Sequence, residues 1–245
     1  MVIYDMHSHL YEFSDDEVSS ILDKDKDLMI VAVSDDLSSL YRNLRLYDVY
    51  PDRIIPCAGF HPWAIGDEPL LEAEEIARRA VRLGLQCIGE VGLDKKFVEP
   101  STWRIQEYIF SLFIDTALEL NAFINIHAPG AWRDVLRILV DSGVEKAMFH
   151  WYTGPLDMID ILGNYNYKVS INPAIRVQAK HRRVALSTAP EYMVFESDGP
   201  YNYRGLRLNP LMVRDTVRFV AELKGVSLGE LLSSARLNSE FLIYG

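Results

Sequence analysis

The sequence predicts a single-domain α/β fold, a (β/α)8 TIM barrel with one extra helix at the C-terminus. Three observations predict it. Apolar runs of strand length alternate with longer amphipathic stretches along the whole 245-residue chain, the pattern of a parallel sheet covered by helices. The alternation repeats eight times, the number that closes a barrel. The first run leads into Asp5-Met6-His7-Ser8-His9, where an open, doubly wound sheet would normally carry a glycine-rich phosphate loop. No internal repeat, low-complexity segment or Gly/Ser-rich linker divides the chain, so residues 1–245 are read as one domain.

Each element has a local reason. The first strand covers residues 2–6. Ser14 then suits a helix N-cap, because its hydroxyl accepts a free N–H of the first turn and Asp15-Asp16-Glu17 put negative charge at the positive end of the dipole. The second strand, 28–33, gives way at Asp35 or Asp36 to a helix reaching about Tyr50. The third, 54–58, ends in Gly59-Phe60-His61-Pro62, and its helix, about 68–83, stops at Gly84 as C-cap. The fourth, 86–89, is followed by Glu90 and by a helix from after Pro100-Ser101 to Leu120. The fifth, 122–126, precedes His127 and a helix of about 131–141. The sixth, 147–149, precedes His150 and a helix of about 155–163. The seventh, 167–171, precedes a basic helix around 177–186. The eighth, 192–195, leads into Glu196-Ser197-Asp198, and helices of about 210–224 and 227–242 end the chain.

A formal charge of −10 weighs against coating nucleic acid by bulk electrostatics, though not against gripping a few phosphates locally. Bound divalent cations would reverse the field inside such a site. No apolar run approaches the roughly 20 residues of a membrane span, and the N-terminus enters a strand without the features of a signal peptide. Cys57 and Cys87 each sit in a strand-like run; they are read as small buried apolar residues rather than a disulfide or a metal site. The expectation is a cytoplasmic enzyme with no membrane contact.

Residues two apart on a strand point to one side, so His7 and His9 project together, and paired imidazoles suit a divalent metal bound at about 2 Å. Taken singly, each candidate is bland: a histidine at a strand end is commonly a hydrogen-bonding partner and a carboxylate there a helix cap. The set is not bland. Glu90, His127, His150 and Asp198 all fall where strands end, as does His61, leaving only His181 elsewhere. In a barrel these ends converge on one face, where active sites lie. Six candidate metal ligands, His7, His9, Glu90, His127, His150 and Asp198, exceed the three of a typical catalytic zinc and suggest two ions bridged by Glu90. Two ions about 3.5–4 Å apart activate a water between them and steady the entering and leaving oxygens; Asp198 is placed to take the proton of that water. The donor set suits Zn, Mn or, where oxygens dominate, Mg.

The ordered set resembles the TatD-related metal-dependent deoxyribonucleases, within the wider amidohydrolase barrel superfamily. The residues that carry the resemblance are Asp5-Met6-His7-Ser8-His9-Leu10, Gly59-Phe60-His61-Pro62-Trp63, Gly89-Glu90-Val91-Gly92-Leu93-Asp94, Ile126-His127-Ala128, Phe149-His150-Trp151-Tyr152-Thr153-Gly154 and Glu196-Ser197-Asp198-Gly199-Pro200-Tyr201, with Asn209-Pro210 and 238–241. Glutamate at position 90 matches this group, where many binuclear relatives use a carbamylated lysine. The resemblance implies that His7, His9, Glu90 and Asp198 hold one metal and Glu90, His127 and His150 the other. It further implies that His61 touches the substrate phosphate and that the reaction is hydrolysis of DNA phosphodiesters, with 3′–5′ exonuclease action in some members. The chain departs from the family pattern at Lys95-Lys96, where aromatic residues are common, at Trp151-Tyr152-Thr153, at Ser197 and Gly199, and around Arg204-Gly205-Leu206-Arg207. These positions bear on substrate choice.

Phosphate needs cationic donors. Lys95, Lys96, Arg176, Arg204 and Arg207 all lie in segments on the expected catalytic face, whereas Lys180-His181-Arg182-Arg183 is expected on the solvated outer ring. Trp63, Trp132, Trp151, Tyr201 and Tyr203 offer loop aromatics for base stacking. Two rival readings remain: a binuclear hydrolase of amides, esters or lactones, and a metal-stabilised binding module.

Overall fold

The computed structural model describes residues 1–245 and has the barrel architecture. Strands β1 (Ile3–Ser8), β2 (Leu28–Ala32) and β3 (Ile54–Pro56) pair in parallel, as do β4 (Cys87–Gly92), β5 (Phe123–His127), β6 (Ala147–Phe149), β7 (Lys168–Ile171) and β8 (Met193–Phe195). Two seams close the ring. Between β3 and β4 it is the pairing of Ala58 with Ile88, with Gly89 N–H donating to the Ala58 carbonyl at 2.9 Å. Between β8 and β1 it forms where both strands exit: Asp198 N–H donates to the His7 carbonyl and His9 N–H to the Gly199 carbonyl, both at 2.9 Å.

Helices α1 (Asp15–Lys24), α2 (Leu37–Val49), α3 (Pro69–Leu83), α4 (Trp103–Leu120), α5 (Trp132–Asp141), α6 (Asp157–Asn164), α7 (Ala179–Ser187) and α8 (Val213–Lys224) cover the strands. Their ends follow local chemistry. Ser14 and Glu17 form a reciprocal capping box, Asp36 and Ser39 form another, and Gly84 ends α3 in the left-handed conformation at φ 63°. The apolar stripe of α3, Ala73, Ile76, Ala77 and Ala80, has the three–four spacing of a helix packed on one side. Inside the ring Tyr4, Met6, Val31, Ile55, Phe123 and Met148 fill the floor, joined by Leu242 and Ile243 of α9 (Leu228–Tyr244). The additional helix thus plugs the N-terminal mouth. Asn238 pins it there by donating to the carbonyls of Met193 and Pro190 at 2.8 and 2.9 Å.

Three expectations need correction. Glu90 lies within β4 rather than after it. Residues 202–207 form a hairpin, β9 (Asn202–Tyr203) with β10 (Leu206–Arg207), turned by Arg204 and Gly205 at φ 47° and 84°; positive φ at both central residues gives the twist that joins antiparallel strands tightly. Cys57 and Cys87 are buried as expected, but they are joined as a disulfide, Cα atoms 4.5 Å apart. They face each other because β3 and β4 are neighbours across a seam, a register that a separation of 30 positions conceals. The inference of a reducing compartment from free thiols therefore has no footing. No helix is long and apolar enough to cross a membrane.

Candidate metal centre

Backbone contacts between distant strands aim the site residues. The buried Asp5 carboxylate accepts the N–H of Ser197 at 2.7 Å and of His7 at 3.4 Å through a single oxygen, clamping the exit of β1 to that of β8. Asp198 follows with φ 55°, a left-handed conformation that Asp tolerates better than most residues. On the far seam Gly59 has no room for a side chain: a Cβ there would lie 2.2 Å from the Gly89 carbonyl carbon. Only glycine lets the exit of β3 approach Glu90 so closely.

His7 Nε2, His9 Nε2, Glu90 Oε2 and Asp198 Oδ1 form one quartet. Their separations are 3.3 Å for His7–His9, 3.3 Å for His7–Glu90, 3.4 Å for His7–Asp198, 3.5 Å for His9–Glu90 and 3.3 Å for His9–Asp198. Four ligands about 2.0–2.1 Å from one centre, disposed tetrahedrally, stand about 3.3–3.4 Å apart. These five separations match the edges of such a cage, and His7, His9 and Asp198 converge closely enough to hold an ion; the donor set fits a divalent metal.

The other oxygen of Glu90 faces a second group. Glu90 Oε1 lies 2.7 Å from His127 Nδ1, 3.4 Å from His61 Nε2 and 3.8 Å from His150 Nε2. His61, Glu90 and His127 converge closely enough to hold an ion, whereas His150 converges with His7 and Glu196, its ring stacked 3.7 Å from that of His7. This second group is more compact on one side and looser on the other than the first.

What each ring does with its remaining nitrogen sorts the histidines. Asn125 Nδ2 donates to the Met6 carbonyl at 2.9 Å, which turns Asn125 Oδ1 toward His7 Nδ1, also at 2.9 Å. When the ring is neutral, His7 thus carries its proton on Nδ1 and bares the Nε2 lone pair. His127 Nε2 faces Asp94 Oδ2 at 3.0 Å, which bares Nδ1 when the ring is neutral. The Nδ1 atoms of His9 and His150 lie 3.2 Å from Asp35 and 3.1 Å from Glu196. Both contacts are bent off hydrogen-bond alignment, yet the carboxylate charge still favours the proton on that nitrogen. His61 is the opposite case: its Nδ1 accepts the Trp63 N–H at 3.0 Å, so a neutral ring points Nε2–H into the site. Four rings are prepared as ligands and one as a donor. Asp35, Asp94, Asn125 and Glu196, which orient the ligands, were not singled out from the sequence. Such partners commonly accompany ligating histidines. Their only signal is that Asp35, Asp94 and Glu196 also follow strands or end them.

Charge balance in this buried site is tight. Burial pushes His7 and His9 toward neutrality, but Glu90 and Asp198 beside His7, and Asp35 and Asp198 beside His9, raise both well above the ordinary imidazole value. Burial opposes the charge on His127 as well, yet Glu90 and Asp94 push it up to about 9. Burial, helped by His127, outweighs Glu90 at His61 and lowers it, so that ring is neutral at pH 7. Burial would raise Glu90 and Asp198, but the surrounding imidazoles hold both below the usual carboxylate range.

Above the site is a cavity of about 480 Å³, bordered by Trp63, Trp132, Trp151, Tyr201 and Tyr203, the aromatics expected there. Of the expected cations only Lys96 borders it. Lys95 is paired with Asp134 at 2.8 Å, Arg207 with Glu17 at 2.9 Å, and Arg176 and Arg204 donate to backbone carbonyls. The basic cluster on α7 divides: Lys180 and Arg183 are exposed, but His181 is fully buried. There it accepts the Asn172 N–H at 3.1 Å, and burial depresses it to about 4.

A barrel that gathers histidines and carboxylates at its C-terminal strand ends is built to hold metal, and its relatives make it a metal-dependent hydrolase. A family model described as TatD related DNase matches residues 4–243, and the chain belongs to that family. An uncharacterized metal-dependent hydrolase of Methanocaldococcus jannaschii is 27% identical over 234 residues, covering 93% of this chain and 91% of the relative. Human deoxyribonuclease TATDN3 is 23% identical over 257 residues, covering 97% and 93%. Among solved structures, the TatD homolog YjjV from Escherichia coli superposes with a TM-score of 0.86 at 19% identity, covering 99% of this chain and 98% of that one, a likeness of fold.

Proposed function

We propose that this chain hydrolyses DNA phosphodiester bonds, as a 3′–5′ exonuclease, with two divalent ions (Zn, Mn or Mg). The observation that carries the reading is the division of Glu90: Oε2 faces His7 and His9, and Oε1 faces His127, His61 and His150. A buried carboxylate split in this way is suited to bridging. His7, His9, Glu90 and Asp198 would hold one ion and Glu90, His127 and His150 the other. Bound there, the ions would lower the pKa of a water and polarise the phosphoryl group. Asp198 turns Oδ1 to the two histidines, which leaves Oδ2 to take the proton from the attacking water. His61 Nε2–H donates to a non-bridging phosphate oxygen as charge develops on it. The deoxyribonuclease name of the human relative supports the choice of DNA.

The test is a single-stranded oligonucleotide labelled at the 5′ end in one tube and the 3′ end in another, incubated with protein and Mg, Mn or Zn beside His7→Ala. A metal-dependent ladder from the 3′ end, absent in the variant, is expected. Intact DNA at confirmed metal loading would move the substrate to an ester or lactone carbonyl.

The second ion should bind with a marked pH dependence. In the metal-free protein His127 keeps its extra proton up to about pH 9, and an ion on Nδ1 must displace it. Protonation competes below that value and ceases above it, so affinity should climb about tenfold per pH unit between pH 6.5 and 8.5. Calorimetric titration with Mn at three pH values measures this, and a flat profile would remove His127 from the ligand set.

A further inference from the structure

We infer that the cavity takes only the last nucleotides of a strand, with the Lys96 ammonium as the single cationic side chain that holds phosphate beside the metal centre; the inference rests on the phosphodiesterase reading and narrows it. The first support is a census of charge. Lys96 is the only lysine or arginine bordering the cavity, and Glu12 and Asp35 border it as well. Nearby cations are engaged elsewhere, Lys95 with Asp134 and Arg207 with Glu17, while Lys180 lies over the Trp132 ring, 5.5 Å from its centre, and does not border the cavity. A strand laid across the opening would carry further phosphates past Glu12 with no second lysine or arginine bordering the cavity to receive them, on a protein of net charge −10.

The second support is how firmly Lys96 is placed. Asp94 Oδ1 accepts the Lys96 N–H at 2.8 Å and the Phe97 N–H at 2.7 Å. Its other oxygen faces His127 Nε2 at 3.0 Å and accepts Trp63 Nε1–H at 2.8 Å. One carboxylate thus fixes the backbone of Lys96 and a site histidine together, while the Lys96 ammonium lies over the Phe97 ring, 4.6 Å from its centre, at the mouth.

The third support is size. At about 480 Å³ the cavity lies within the size range of small-molecule sites, room for one or two nucleotides rather than a long strand. It has two aromatic walls. Trp63 meets Phe97 edge to face at 6.0 Å, and Trp151 packs against Tyr203 at 5.0 Å and Tyr201 at 5.9 Å. Trp151 Nε1–H donates to Gln178 at 3.0 Å, and Gln178 donates to the Tyr203 hydroxyl at 3.0 Å, so this wall is braced. Terminal bases stack on such walls with little dependence on sequence.

The experiment measures kcat and KM of the metal-loaded protein on oligothymidylates of two to twenty nucleotides over a salt series. Binding of thymidine 5′-phosphate is titrated in parallel, with Lys96→Ala, Lys96→Arg and Arg207→Ala. We expect kcat/KM to level off by about three nucleotides and to fall with salt at a log–log slope near −0.7, the value for about one neutralised single-strand phosphate. Lys96→Ala should raise KM about tenfold at nearly constant kcat, flatten the slope and weaken thymidine 5′-phosphate to match; Lys96→Arg should recover most of it. A slope near −3, kcat/KM still rising at twenty nucleotides, or an equal loss in Arg207→Ala would overturn the proposal while leaving the nuclease intact. No cleavage of any oligonucleotide, with thymidine 5′-phosphate still held through Lys96, would overturn the nuclease reading and keep the phosphate anchor.

Discussion

Glu90→Gln should empty both metal positions together and lower hydrolysis at least about 10³-fold. The side chain is buried, and both of its oxygens face imidazole nitrogens at 2.7 to 3.8 Å. An amide offers one oxygen in place of two and turns an NH2 group toward the other set of nitrogens, where it can ligate nothing. It also removes the central negative charge from among the imidazoles of His61, His7, His150 and His127 that surround Glu90. Burying that many imidazoles around a neutral group costs stability unless they shed protons. Elemental analysis of the purified variant reads the first effect and turnover the second. Loss of one ion alone would show that Glu90 is not shared.

Asp198→Asn should keep the fold and lose hydrolysis by about 10²–10⁴-fold, the usual contribution of a positioned base. Asn adopts the left-handed backbone that position 198 requires almost as readily as Asp, and its carbonyl oxygen can still face His7 and His9. What it cannot do is accept a proton. Metal content, a thermal melt and turnover separate these effects, and near-wild-type turnover at full metal content would sink the role assigned to Asp198. If metal content falls as well, a titration of rate against added Mn distinguishes lost occupancy from lost chemistry.

The fold was legible because strand ends in a parallel barrel repeat one local event eight times: an apolar run, a polar residue, a capped helix. Ser14, Asp36 and Gly84 act where their chemistry suggests. The histidines were legible for the same reason, since a polar ring at the end of an apolar run is a local signal. Pairings that depend on which strands become neighbours were not legible. The Cys57–Cys87 disulfide is one, Asn125 turning its oxygen to His7 across the barrel is another, and the burial of His181 beneath Tyr152 a third. Charge partners misled in the same way. Lys95 and Arg207 read alike with Lys96 in the sequence, but Asp134 and Glu17 come from other βα units to neutralise them.

The clamp at Asp5 has a consequence for the order in which the protein is made. Residue 5 accepts the N–H of residue 197, and the hydroxyl of Ser8 donates to the Gly199 carbonyl, contacts spanning 192 and 191 positions. During synthesis β1 can pair with β2 early, but it waits about 190 residues for its other neighbour, β8. Contacts this distant along the chain form late. A nascent or prematurely terminated chain therefore lacks the quartet around Asp198, and catalytic competence arrives only with the eighth strand.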